Sequence, residues 1–440
     1  MPRRNLFATA MIGAISLLCW QSSQGAKPKD EMYELYGLFA DAVERVEANY
    51  VRPVSRRELF ESALRGMLQD LDPHSTYISE SEWRQFKKTI EGSFIGIGIQ
   101  VGFDERARRL KVIAPVVGSP AYEAGVLAGD IITEIDGKST EGLMPDKAVE
   151  VLQGKQGTPV KLTVVHPGAE KPETLTMNRA VIDMPSVLGD RRKDDGSWDF
   201  LIDKDKKVGY VRVTSFSQNT TEELKKVLDE LKTDGMKALV LDLRDNPGGL
   251  LSAAVEVSDL FIEDGDIVST KGRNVRDKVY KARKEETYTG FPMVVLINQH
   301  SASAAEIVSA CLQDYHRAAI VGQRSYGKGS VQNIIPLEDN QSVLKLTTQT
   351  YWRPSGKNIH RFKNAKESDE WGVSPDKGLI VKLTDDEYVA WADARRDRDL
   401  FARRKDPKAN DKEKPAPDDR QLKKALEVAL AKLDGEKPTK

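Results

Sequence analysis

Two segments of the chain hold residues that could break an amide bond. The first, Asn298-Gln299-His300-Ser301-Ala302-Ser303-Ala304-Ala305-Glu306-Ile307, follows a buried-looking strand and opens a helix. An open α/β sheet presents a nucleophile at such a junction. The second, Ser325-Tyr326-Gly327-Lys328-Gly329-Ser330-Val331-Gln332, sets a lysine between two glycines, where its amine can lie against backbone with Tyr326 as apolar cover. A serine hydroxyl is a poor nucleophile at neutral pH and needs a base within hydrogen-bond reach. Lysine serves only when neutral, and burial favours that form by lowering its pKa from about 10.4; a drop of three units corresponds to roughly 4 kcal/mol. The pairing suits hydrolysis of a peptide bond through an acyl-enzyme.

Histidine is the alternative base, and it needs its own loop and an acid partner. Of the five histidines, His300 lies too close to Ser303 along the chain, and only His316, in Asp314-Tyr315-His316, competes. No HExxH, paired-cysteine or acidic-loop pattern occurs, so no metal or cofactor is expected. Acyl transfer also needs donors for the developing oxyanion. Asp242-Leu243-Arg244-Asp245-Asn246-Pro247-Gly248-Gly249 reads as a strand ending in a glycine turn, where backbone N–H groups can be exposed; the plainer reading is a tight loop.

These segments need a scaffold, and 440 residues allow about three domains. Net charge is −1 with 31 % charged residues, so the charges are interspersed and nucleic acid is not the expected partner. Arg3 and Arg4, the apolar run Leu6 to Trp20 and the small polar stretch after it have the regions of a secretory signal spanning residues 1–25. Its removal leaves Cys311 as the single cysteine, so no intrachain disulfide is available.

Residues 30–91 have helical spacing, broken at Tyr50-Val51-Arg52-Pro53. Residues 92–179 change to short strands and glycine turns, with a short helix at Ser119-Pro120-Ala121-Tyr122 and an amphipathic one from Lys147 to Leu152. From 181 to 391 strands and helices alternate, the pattern of an α/β core. Residues 392–440 are dense in charge and proline and read as a largely solvated tail, with one amphipathic helix from Gln421 to Leu433.

Over nearly the whole mature length these motifs resemble the C-terminal processing (tail-specific) peptidases, a family of Ser–Lys serine peptidases. The resemblance implies a permuted PDZ domain over 92–179, carried by Ala124-Gly125-Val126-Leu127-Ala128-Gly129-Asp130-Ile131-Ile132, and a ClpP/crotonase-like α/β peptidase core. In the family the lysine follows the nucleophile by 25 positions, which selects Ser303 over Ser301 as partner of Lys328. It further implies that Gln332 orients the amine and that Gly248 (or Gly249) and Ala304 supply the oxyanion donors. The PDZ segment would hold a substrate's C-terminal carboxylate at Phe94, Ile95, Gly96 and Ile97, with Ile97, Ile99, Ala148, Val149 and Leu152 along the side-chain groove. Relatives commonly carry arginine where this chain has Gln153. By resemblance the protein is periplasmic, or peripheral to the inner membrane, and cleaves envelope proteins or cell-wall enzymes, with an adaptor and a homo-oligomer built through the terminal helices. The competing classes are an inactive PDZ scaffold and an acyl-CoA enzyme on the related core.

Overall fold

The structure, a computed structural model, describes residues 27–193, 195–399 and 417–435. The expected signal, residues 1–25, and residues 400–416 and 436–440 of the expected tail lie outside the described residues. The chain divides into two units: one from residues up to Ser79 with Ile334–Leu346, the other from Glu80–Asn333 with Thr347 onward.

In the first unit, α1 (Lys27–Asn49) and α2 (Arg56–Gln69) are separated where Pro53 interrupts the helical pattern. Ser55 caps α2, accepting from the Glu58 N–H while the Glu58 side chain accepts from Ser55 N–H. Phe39 meets Phe60 edge to face at 5.2 Å, joining the two helices. Met32, Tyr33, Leu35, Tyr36 and Leu38 of α1 remain exposed. A short strand, Thr76–Ile78, pairs antiparallel with Val343–Lys345.

The second unit begins with α3 (Glu80–Glu91) and a small β-domain. Strand β1 (Ser93–Gly96) pairs with β7 (Ala180–Asp183), closing the ends of that domain together. Between them β2 (Ile99–Asp104), β3 (Arg109–Pro115), β4 (Ile131–Ile135), β5 (Pro159–Val165) and β6 (Glu173–Asn178) form one antiparallel sheet in that order. Alternation on β3 and β5 turns Leu110, Val112, Val160, Leu162 and Val164 inward, onto Ala148 and Leu152 of α4 (Pro145–Leu152). Arg179 fastens the end of α4, donating to the Val151 and Leu152 carbonyls at 3.0 Å each.

The remaining core is a mostly parallel sheet. Its strands β8 (Val208–Val213), β9 (Ala238–Asp242), β10 (Met293–Ile297) and β11 (Ala319–Gly322) are neighbours in that order. All four are buried along their whole length, as parallel strands covered on both faces must be. Leu239 and Leu241 of β9 face helices α5 (Thr220–Thr233), α6 (Leu251–Asp259) and α7 (Ala304–Asp314). Ala238 and Val240 face the other way, onto the chain's last helix.

Strand β12 (Ser342–Trp352) contributes residues 349–352 to this unit, paired with the strand Asp266–Gly272. Beyond it lie α8 (Asp385–Asp399) and α9 (Arg420–Leu433). Helix α9 lays Ala425, Val428 and Ala429 on Val208, Tyr210, Val240 and Leu296, so it forms the second covering layer of the sheet. In the sequence it is an amphipathic stretch within a charged tail; its apolar face is spent inside the chain.

Candidate active site

Ser303 stands between β10 and α7, with φ +56° and ψ −113°. A non-glycine residue in that region is strained, and such strain is held where the surroundings over-determine it. The two serines separate clearly. Ser301 is fully buried, donates from Oγ to the Leu243 carbonyl at 2.7 Å and accepts from the Asn298 N–H at 2.9 Å, which makes it a brace of the loop. Ser303 instead has its Oγ 3.2 Å from the Tyr351 hydroxyl of β12.

Glu306 organises the site, and it is fully buried. One of its oxygens, Oε2, accepts from the backbone N–H of both Ser303 and Lys328, at 2.8 Å each. The other, Oε1, accepts from Gly327 N–H at 2.6 Å and from the Ser325 hydroxyl at 2.5 Å. The serine and lysine segments therefore hang from a single carboxylate. Burial pushes the Glu306 pKa up, and the four donors oppose it. A second link joins the same segments, from Tyr326 N–H to the Ser301 carbonyl at 2.9 Å.

The glycines beside Lys328 are there for close approach. A Cβ on Gly329 would come 2.4 Å from the backbone nitrogen of His360, and one on Gly327, with φ +87°, 2.7 Å from Arg361 Cβ. Lys328 is half-buried. Tyr326, expected to shelter it, is half exposed; it follows the turn outward, and Tyr351 is the buried aromatic at the serine. Gln332 donates to Ser330 Oγ at 2.9 Å and to Thr347 Oγ1 at 3.2 Å.

The glycine turn lies against the nucleophile. A Cβ on Gly248, at φ +99°, would fall 2.7 Å from Ser303 Cβ and 3.0 Å from Ala304 N. Ala302 N–H donates to the Asn246 carbonyl at 2.9 Å, tying the turn to the serine loop. Ala304 is the first residue of α7, so its N–H has no acceptor within the helix. The Gly248 N–H, in contrast, donates to Asn246 Oδ1 at 2.8 Å. Gly249 runs alongside Phe216, where a Cβ would meet the Phe216 carbonyl at 2.1 Å.

Arg244, just before that turn, is buried in a net of acceptors. It donates to Asp242 at 2.7 Å and to both oxygens of Asp419 at 2.8 and 2.9 Å, and lies over the Trp391 ring at 4.5 Å. Burial works against the Asp242 charge, but Arg244 outweighs it and holds the carboxyl below its ordinary value. His316 lies past the far end of α7 from Ser303, about 16 Å along the helix axis. That distance removes it as base. His300 is exposed and lies against Tyr388, the ring centres 5.2 Å apart and the planes tilted by 40°.

In the β-domain a cavity of about 550 Å³ opens between β2, α4 and α3. Phe94, Gly96, Ile97, Ile99, Val149 and Leu152 line it. Ile95 is outside that lining and exposed, because alternation along β1 sends it to the opposite side from its neighbours, while Ala148 is spent in the core. Sequence reasoning missed the contribution of α3, which adds Gln85, Phe86 and Lys88 to the wall. The Lys88 amine donates to Gln153 Oε1.

Comparisons with known proteins agree with this layout. Residues 207–377 match the model of peptidase family S41, and residues 111–165 match a PDZ domain. The carboxy-terminal-processing protease of Bartonella bacilliformis is 37 % identical over 375 residues, 84 % of this chain and 81 % of that protein. The carboxy-terminal processing protease CtpA of Bacillus subtilis is 36 % identical over 73 % of this chain and 66 % of its own length. Among solved structures, a photosystem II D1 C-terminal processing protease aligns with a TM-score of 0.43 and 28 % identity, covering 78 % of this chain and 92 % of that one.

Proposed function

Since the chain belongs to the carboxy-terminal-processing proteases of peptidase family S41, and is thus a serine-type peptidase with a PDZ domain, we propose that Ser303 and Lys328 carry its chemistry. The observation that supports this most is the shared Glu306 oxygen, which fixes the backbones of both residues to one point. In this reading the Lys328 amine takes the proton from Ser303 Oγ as that oxygen attacks the substrate carbonyl. The proton then passes to the leaving amine, and water hydrolyses the ester left on Ser303. Gln332, four residues beyond Lys328 and within the strand Ser330–Leu337, orients the amine. The oxyanion rests on Ala304 N–H, at the positive end of α7, and on Gly248 N–H once that group turns from Asn246 Oδ1.

The PDZ cavity selects the substrate. A chain end lies as an added strand beside β2, its last side chain among Ile97, Ile99 and Leu152 and its carboxylate on the backbone near Gly96. Substrates are then exported envelope proteins or cell-wall enzymes, met in the periplasm after removal of residues 1–25, with an adaptor delivering them. The exposed apolar face of α1 would join copies of the chain. Incubation of wild-type, Ser303→Ala and Lys328→Ala proteins with an unfolded protein, bearing either a free or an amidated C-terminus, tests the reading. Cleavage confined to wild type and faster with the free carboxylate is expected; equal cleavage by Ser303→Ala would overturn it.

A further inference from the structure

We propose that Tyr351 is a further catalytic residue, a phenol that donates a hydrogen bond to Ser303 Oγ when that oxygen gives up its proton and again when it departs in deacylation. The proposal rests on the assignment of Ser303 as nucleophile. Its starting point is the 3.2 Å separation of the two hydroxyl oxygens, with Tyr351 4 % and Ser303 4 % exposed. At that depth water competes poorly for either oxygen.

The phenol is held independently of the serine. Tyr351 N–H donates to the Gly329 carbonyl at 2.8 Å, one residue past Lys328, and its backbone pairs with Thr270 on the neighbouring strand. The ring therefore moves with the lysine segment, while its hydroxyl reaches the serine segment. Burial raises the phenol to about 12, with the Glu306 and Tyr280 charges adding to the effect and the bond to Ser303 opposing it. A group so placed stays protonated wherever the enzyme works. It can donate to oxygen but cannot act as the base, which leaves that task to Lys328.

The donation matters at two moments. As the Oγ–H bond breaks toward the amine, the phenol stabilises the oxygen that retains the electron pair. In deacylation Lys328 takes a proton from the attacking water, the carbon–Oγ bond of the resulting tetrahedral intermediate breaks, the electron pair returns to Oγ, and the Lys328 ammonium gives that proton to Oγ. The phenol keeps its own proton throughout, so atoms and charge balance. A hydrogen bond to a charged oxygen in a dry site is among the stronger kinds.

Tyr351→Phe removes one oxygen and keeps the ring, so the packing of β12 survives. The expected result is a 10- to 100-fold fall in kcat with KM within about threefold, and an acyl-Ser303 species that accumulates and is seen by intact-protein mass spectrometry during turnover. A merely structural role would lower thermal stability without trapping the acyl-enzyme. Three outcomes separate the claims. Tyr351→Phe within twofold of wild type, with Ser303→Ala inactive, overturns the Tyr351 proposal alone. Activity retained by Ser303→Ala overturns the Ser303 assignment and this proposal with it. Loss of activity in Tyr351→Phe through weaker substrate binding, with KM raised and kcat kept, also overturns it.

Discussion

The peptidase site and the PDZ cavity use backbone hydrogen bonding in opposite ways. Around Ser303 the chain satisfies its polar groups internally: one carboxylate takes four donors, and the turn, the serine loop and the lysine loop are laced to each other. Around Gly96 the structure leaves an apolar hollow of about 550 Å³ with α3 along one wall. On the proposed assignment the first arrangement sets the serine and lysine backbones in advance, and the Gly248 N–H alone has to turn toward the oxyanion. The second, on the proposed reading, is completed by the backbone and side chain of a substrate's end. On that reading, internal hydrogen bonding is densest where bonds break, and the open hollow lies where a substrate tail is received.

If that contrast is right, substitutions in the two regions should fail in different currencies. The largest effect belongs to Ser303→Ala, which should cut turnover by about 10⁴-fold or more while tail-peptide affinity, measured by fluorescence polarisation, stays unchanged. Ser301→Ala sharpens the distinction between the serines: it should lower stability by about 1–3 kcal/mol in urea titration, with turnover falling far less than for Ser303→Ala. Glu306→Ala strands three backbone N–H groups, so a loss of at least about 3 kcal/mol is expected together with loss of activity. Were it as stable as wild type, the carboxylate would not be the organiser described above.

In the cavity, Val149→Asp places a charge on the apolar wall and should weaken tail binding about tenfold or more, raising KM with kcat kept for a short peptide. The smallest effect is in acid. Because Asp242 titrates below its ordinary value when folded, its contribution to stability is complete above the unfolded aspartate pKa of about 3.9 and is lost as pH falls through the folded value. Asp242→Asn should therefore flatten the acid limb of stability against pH, measured by thermal melts between about pH 5 and 2.

Much of this was visible in the residues alone. The alternation of strands and helices, the PDZ-like order and the pairing of a serine segment with a glycine-flanked lysine all rest on local pattern, which the fold preserves. Glu306 was legible in principle, since Ser303 and Glu306 have the spacing of a capping box, but a capping glutamate does not announce that it will also take Ser325, Gly327 and Lys328. Tyr351 had no local signal, because strand pairing far along the chain carries it to the serine. The helix from Gln421 to Leu433 was legible as an amphipathic stretch, but the charge-rich composition after residue 392 concealed its docking on the sheet and the docking of α8, whose arginines and aspartates are matched to partners in the core rather than to water.

Helix α9 has a consequence for the timing of assembly. Asp419, which caps it, also grips Arg244 at the entrance to the Asn246–Gly249 turn, and the helix roofs the sheet beneath. A chain emerging from the ribosome makes its serine, its lysine and its turn well before it makes that clasp. Until synthesis has passed Ala429, one face of the sheet lacks the helix that covers it in the folded chain.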